Sequence, residues 1–129
     1  GDNFFTMVDA GFDNLVRPAM YGAWHEISVL SAEPGGRLGP SGPTLVAGPL
    51  CESGDVFTQK EGGLVEARPL PRASVGDLVV FHDTGAYASS MASNYVSRSL
   101  APEVLVDGDV HQLIRRRQTI SDLLDLESC

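Results

Sequence analysis

The sequence predicts a mainly β domain: a Greek-key-like β-barrel or sandwich of about seven or eight short strands, with two or three short helices. Three observations lead there. Glycine occurs 14 times and proline 8 times in 129 residues, punctuation too frequent for a helix bundle. Apolar residues fall into short alternating or continuous runs bounded by turn signals. A 43% hydrophobic content over this length suits one domain, residues 1–129, with a small core.

The elements follow in order. Phe4 to Val8 reads as a short buried strand, ended by Asp9-Ala10-Gly11. Asn14 to Met20 suits a helical turn that Pro18 keeps short. Tyr21 to Leu30 alternates His25, Ile27 and Val29 against Trp24 and Glu26, as a half-buried strand does. Glu33 to Pro43 holds four glycines and three prolines and reads as a loop. Its Glu33-Pro34-Gly35-Gly36-Arg37 segment imitates an anion-binding loop, yet no helix pattern follows.

Thr44 to Ala47 is a strand, broken by Gly48-Pro49. Val56 to Thr58 and Leu64 to Ala67 are extended candidates around a Gly62-Gly63 turn. Pro69-Leu70-Pro71 belongs on a sheet edge. Leu78 to Phe81 reads as a buried strand ended by Asp83-Thr84-Gly85, and Ala86 to Ser93 as a short helix. Asp107-Gly108 signals a hairpin between Glu103–Val106 and Val110–Ile114. Thr119 and Asp122 have capping-box spacing, and Ile120, Leu123 and Leu124 share a face that must dock on the sheet.

The formal charge is −8. A nucleic-acid partner needs a basic footprint, and Arg115-Arg116-Arg117 reads as an exposed strand end instead. No apolar run reaches the roughly 18 residues of a membrane span, and Gly1-Asp2-Asn3 is no signal leader. Two cysteines make no disulfide framework, and with three histidines they show no metal-ligand spacing. A soluble, cytoplasmic setting is the expectation.

Three constellations bear on chemistry. Arg17 and Tyr21 lie four residues apart, so a helical turn puts a guanidinium and a phenol on one face, suited to a carboxylate. A surface arginine beside a half-buried tyrosine is the plain alternative. Cys51-Glu52-Ser53-Gly54-Asp55 sits where a strand opens into a loop. A thiol there suits proton donation and a glutamate suits an amine, against the alternative of a small buried cysteine beside a solvated acid. His82-Asp83-Thr84-Gly85-Ala86-Tyr87 leaves a strand, with Gly85 allowing close backbone approach and Tyr87 offering a hydroxyl and a ring, or mere packing.

Taken in this order, the segments resemble the C-terminal half of diaminopimelate decarboxylases. The resemblance rests on Val8 to Gly11, Leu15 to Ala23, Gly48 to Asp55, Phe81 to Ala88, Ser93 to Tyr95, Ala101 to Gly108 and Ile114 to Arg117. It implies a β-domain like that of alanine racemase, attached to a TIM-like barrel absent from these 129 residues. It implies pyridoxal 5′-phosphate, and conversion of meso-diaminopimelate to L-lysine and CO2, the last step of lysine biosynthesis. By resemblance, Arg17 and Tyr21 bind the distal carboxylate, Glu52 holds the distal amine, and Cys51 delivers the proton after CO2 leaves. Tyr87 touches cofactor phosphate and substrate.

The family is a homodimer with shared active sites, so Cys51 and Glu52 would serve the partner's site. Ornithine-type decarboxylases, similar in fold, carry aspartate after the cysteine and lack the arginine–tyrosine pair; a related ornithine or arginine decarboxylase is one alternative. A freestanding non-catalytic β-module is another. This sequence departs from the pattern at Trp24 (usually tyrosine), at Ala88-Ser89-Ser90 (a glycine is common), at Val96 (commonly asparagine) and at Ser99-Leu100 (a Pro-Arg pair).

A pyridoxal enzyme needs a lysine for its Schiff base, and the one lysine here, Lys60, lies in a turn remote from these motifs. The resemblance puts the Schiff-base lysine and the phosphate loop in the absent barrel. The chain alone is therefore expected to be inactive.

Overall fold

A computed structural model describes residues 3–127 of the chain. Gly1, Asp2 and Cys129, on which the leader and cysteine readings partly rest, lie outside the described residues. In chain order the elements are β1 (Phe4–Met7), α1 (Arg17–Tyr21), β2 (Ile27–Leu30), β3 (Ser41–Ala47), β4 (Arg68–Pro71), β5 (Leu78–Phe81), β6 (Glu103–Asp107), β7 (Val110–Arg115) and α2 (Ile120–Leu124). Single 3-10 turns lie at Glu61–Gly63, Ser89–Met91 and Tyr95–Ser97. The mainly β expectation holds, and the strands form three small sheets: β1-β3-β4, β2-β5 and β6-β7.

β3 is the spine. Its C-terminal half pairs in parallel with β1, Phe4 opposite Thr44 through Met7 opposite Ala47. Its N-terminal half pairs antiparallel with β4, Ser41 opposite Pro71 through Thr44 opposite Arg68. Thr44, Leu45 and Val46 are fully buried, as a strand covered on both faces requires. The strand starts earlier than expected because Pro43 stands opposite Pro69, a pair at which neither residue has an N–H to leave unbonded. β4 is an edge strand, where its prolines are tolerated.

Leu15, Ile27, Val46, Phe57 and Leu70 make the buried core, with Val8, Ala10, Val79, Phe81 and Ala88 packed on its rim. The Phe57 and Phe81 rings lie 4.4 Å apart, centroid to centroid, packing the segment that follows β3 against β5. The alternation of His25, Ile27 and Val29 inward against Trp24 and Glu26 outward is observed. Ladder pairing covers Ile27–Leu30: Tyr21 ends α1, Gly22 caps it, and residues 23–26 are irregular.

Five further expectations change. β1 is not a buried strand: Phe5 and Met7 are exposed, and Thr6 is its buried residue. β5 is half-exposed rather than buried: it pairs only with β2, and its outer side borders a groove of about 600 Å³ shared with β1. The hairpin loop is Gly108–Asp109, one residue later than the dipeptide signal, since Asp107 still pairs with Val110. α2 carries the expected capping box, but Ile120 and Leu124 are exposed and its apolar face meets no sheet. Arg116 instead anchors it beside the end of β7 through a two-pronged pair with Asp122, at 2.6 and 2.7 Å. Ala86 to Ser93 forms a turn and a 3-10 turn rather than a helix.

Candidate functional site

α1 presents the first group. Pro18 sits in its first turn, where a missing N–H costs nothing, and Gly22 ends it with a left-handed φ of +62°. A Cβ on Gly22 would come 1.9 Å from the Glu61 backbone nitrogen, so only glycine lets the Glu61–Gly63 turn pack on this helix. The guanidinium carbon of Arg17 lies 4.5 Å from the centre of the Tyr87 ring. Among the described residues Arg17 has no carboxylate partner, although the chain is strongly acidic. Tyr21, one turn along the helix, is exposed, as is Tyr87. Neither phenolic hydroxyl has a hydrogen-bond partner among the described residues.

Tyr87 is held by a turn in which its N–H and that of Ala88 both donate to the Thr84 carbonyl, at 3.0 and 2.8 Å. Gly85 has open space around it and no positive φ, so the close approach expected there is not needed within this chain. The left-handed residue is Asp83, with a φ of +55°, a conformation aspartate tolerates. The His82 ring pairs with the Ser28 hydroxyl at 2.8 Å, which ties β5 to β2 rather than serving a site. His25 is buried, with Nδ1 3.1 Å from the His82 carbonyl, in keeping with a core histidine.

The second group is the loop from Gly48 to Asp55. The Gly48 N–H donates to the Asp55 carbonyl (2.9 Å) and the Asp55 N–H to the Glu52 carbonyl (3.0 Å), so the segment closes on itself. Cys51 and Glu52 stand exposed at its tip. One Glu52 oxygen accepts from the Ser53 hydroxyl and the Gly54 N–H, at 3.2 and 3.3 Å. The other lies 3.5 Å from the Tyr95 hydroxyl. Tyr95 in turn rests on Phe12, ring centroids 4.7 Å apart.

The candidate residues therefore fall into two groups, Arg17 with Tyr87 beside Tyr21, and Cys51-Glu52 with Tyr95. Among the described residues no hydrogen bond, ion pair or ring contact joins the two. Sequence reasoning noted Tyr95 only as part of a motif and gave Asp55 no role. Both act through partners more than 40 positions away, which spacing does not reveal. Lys60 forms an ion pair with Glu66 at 2.6 Å on the surface. Among the described residues no group of three or more histidine, cysteine, aspartate or glutamate side chains is placed to hold a metal. No helix among them is long and apolar enough to cross a membrane.

A family model described as the C-terminal sheet domain of pyridoxal-dependent decarboxylases matches residues 1–85. The chain belongs to this family. Among similar proteins, diaminopimelate decarboxylase of Streptomyces coelicolor is 64% identical over 124 residues, covering 96% of this chain and 28% of the relative. That of Escherichia coli K12 is 61% identical, covering 98% of this chain and 30% of the relative.

A crystal structure of diaminopimelate decarboxylase superposes with a TM-score of 0.92 at 61% identity, over 98% of this chain and 30% of that one. The Helicobacter pylori enzyme complexed with L-lysine gives 0.79 at 36% identity, over 95% and 28%. The chain thus spans about 30% of the length of these relatives.

Proposed function

We propose that the chain is the C-terminal β-domain of a diaminopimelate decarboxylase. Joined to a pyridoxal-phosphate-binding barrel and paired as a homodimer in the cytoplasm, it would take part in forming L-lysine and CO2. The observation that carries this reading is Arg17: a guanidinium that, among the described residues, has no carboxylate partner in an acidic chain, steadied on the Tyr87 ring, with the Tyr21 phenol on the same helix. A two-pronged cation beside a phenol is suited to a second carboxylate, the group that separates diaminopimelate from ornithine.

Glu52, exposed at its loop tip, suits the distal amine, and the exposed free thiol of Cys51 suits delivery of a proton to the carbon that loses CO2. The Tyr87 hydroxyl, without a hydrogen-bond partner among the described residues, fits a phosphate oxygen, and Lys60 is paired with Glu66 on the surface. The cofactor would supply the electron sink that makes decarboxylation possible. That no bond or ring contact joins the two groups among the described residues suits a site assembled from two subunits, Arg17, Tyr21 and Tyr87 serving one and Cys51 and Glu52 its neighbour. Exposed apolar side chains along β6 and β7, among them Val104, Val106, Val110 and Leu113, suit burial against a partner domain or subunit.

The test is steady-state kinetics of the full-length dimer on diaminopimelate, ornithine and arginine. A charge-assisted hydrogen bond contributes about 1.5–3 kcal/mol, so Arg17→Ala is expected to raise KM for diaminopimelate roughly 10- to 100-fold. Cys51→Ala is expected to lower kcat with little change in KM. Unchanged KM in the first variant, or preference for ornithine, refutes the assignment.

A further inference from the structure

We propose that Asp55 is a positioning residue for the loop tip, holding Cys51 and Glu52 in place through backbone clamps; this rests on the roles just given to those two residues. Asp55 is only 3% exposed, yet it pairs with no cation among the described residues. One carboxylate oxygen accepts the Phe12 N–H at 2.7 Å. The other accepts the Leu50 N–H at 2.8 Å. Leu50 immediately precedes Cys51. Phe12 carries the ring that backs Tyr95, whose hydroxyl approaches Glu52. One carboxylate therefore fixes the approach to the thiol directly and the setting of the glutamate through two aromatic rings.

The chemistry calls for a carboxylate and not merely a polar residue. Both contacts are N–H donors, and an ionised aspartate offers acceptors on both oxygens. An asparagine of the same shape has one acceptor and one donor, so it would set N–H against N–H at one end. Gly48 makes room: a Cβ there would lie 2.2 Å from the nearer carboxylate oxygen. The base of the loop has a separate brace. The Gln59 side-chain amide donates to the Gly54 and Val56 carbonyls, at 2.9 and 2.6 Å. With the base secured, the buried carboxylate is left to define the tip.

The experiment uses the full-length holoenzyme dimer turning over diaminopimelate. Asp55→Asn is expected to lower kcat roughly 10-fold or more while dimer mass is retained. In the Cys51→Ala background the same change is expected to lower kcat little further, because residues acting through one another are non-additive. A kcat within about twofold of wild type for Asp55→Asn, or losses that multiply in the double variant, overturns the proposal. If Cys51→Ala itself leaves kcat intact, the site reading fails first and this inference falls with it.

Should Asp55→Asn yield no folded dimer, Gly48→Ala keeps the carboxylate but displaces it. The same kcat loss and the same non-additivity are then expected, and their absence overturns the proposal. Loss of the folded dimer in both variants also overturns it, since the carboxylate would then hold the fold and not the tip.

Discussion

Val96 is an exposed, β-branched residue in the left-handed region, with φ +56° and ψ +32°, inside the 3-10 turn that carries Tyr95. The left-handed conformation costs an L-residue roughly 1–2 kcal/mol, and β-branching puts valine toward the upper end. Asparagine recovers part of this cost because its short polar side chain bonds locally. Against the gain stands burial. Val96 is 60% exposed, so the substitution forfeits at most about two-fifths of the roughly 1.5–3 kcal/mol that full burial of such a side chain contributes, or about 0.6–1.2 kcal/mol. Val96→Asn is therefore expected to stabilise the protein by a small net amount, at most about 0.5 kcal/mol. With a urea m-value of roughly 2 kcal/mol per molar, the unfolding midpoint rises by up to about 0.25 M at unchanged m. Val96→Ala is the control: it keeps the Cβ and hence most of the strain, and should give no gain. A midpoint for Val96→Asn at or below wild type, or an equal rise for Val96→Ala, refutes the reasoning.

Three further outcomes follow from local geometry. Asp122 accepts from the Arg116 guanidinium and from the Thr119 N–H and hydroxyl, and these hold its carboxyl well below the usual range. A depressed carboxyl stabilises the fold above its unfolded value of about 4, and that contribution drains as pH falls toward the lower folded value. The Asp122 carboxyl carbon shift should thus still report carboxylate at about pH 3, and a midpoint near 4 would show the pair unformed. Gly22→Ala should destabilise by about 3 kcal/mol or more, since its Cβ meets Glu61 and Lys60 backbone. Gly62→Ala, at φ +80° in open space, should cost only about 1 kcal/mol by the same denaturation assay.

Much of the fold was legible because its signals are local. The alternation around Ile27, the capping box of Thr119 and Asp122, and the edge placement of Pro69 and Pro71 each depend on neighbours a few positions away. The motif containing Val96 was legible as a departure from the asparagine common there; its cost became visible only with the φ angle. What misled was context: Leu78 to Phe81 is as apolar as a buried strand, yet β5 has a ladder partner on one side only.

By itself the sequence determined which short segments extend, where glycine and proline stop them, and that arginine, tyrosine, thiol and carboxylate occur in a family-like order. Tertiary structure alone decided who meets whom: Arg17 with Tyr87, Glu52 with Tyr95, Asp55 with Phe12 and Leu50. The physical reason is range. Backbone preference and turn chemistry act over a few residues, whereas Asp55 meets Phe12 across 43 positions only because β3 pairs with β1, bringing Gly48 to Asp55 beside the loop that follows Met7.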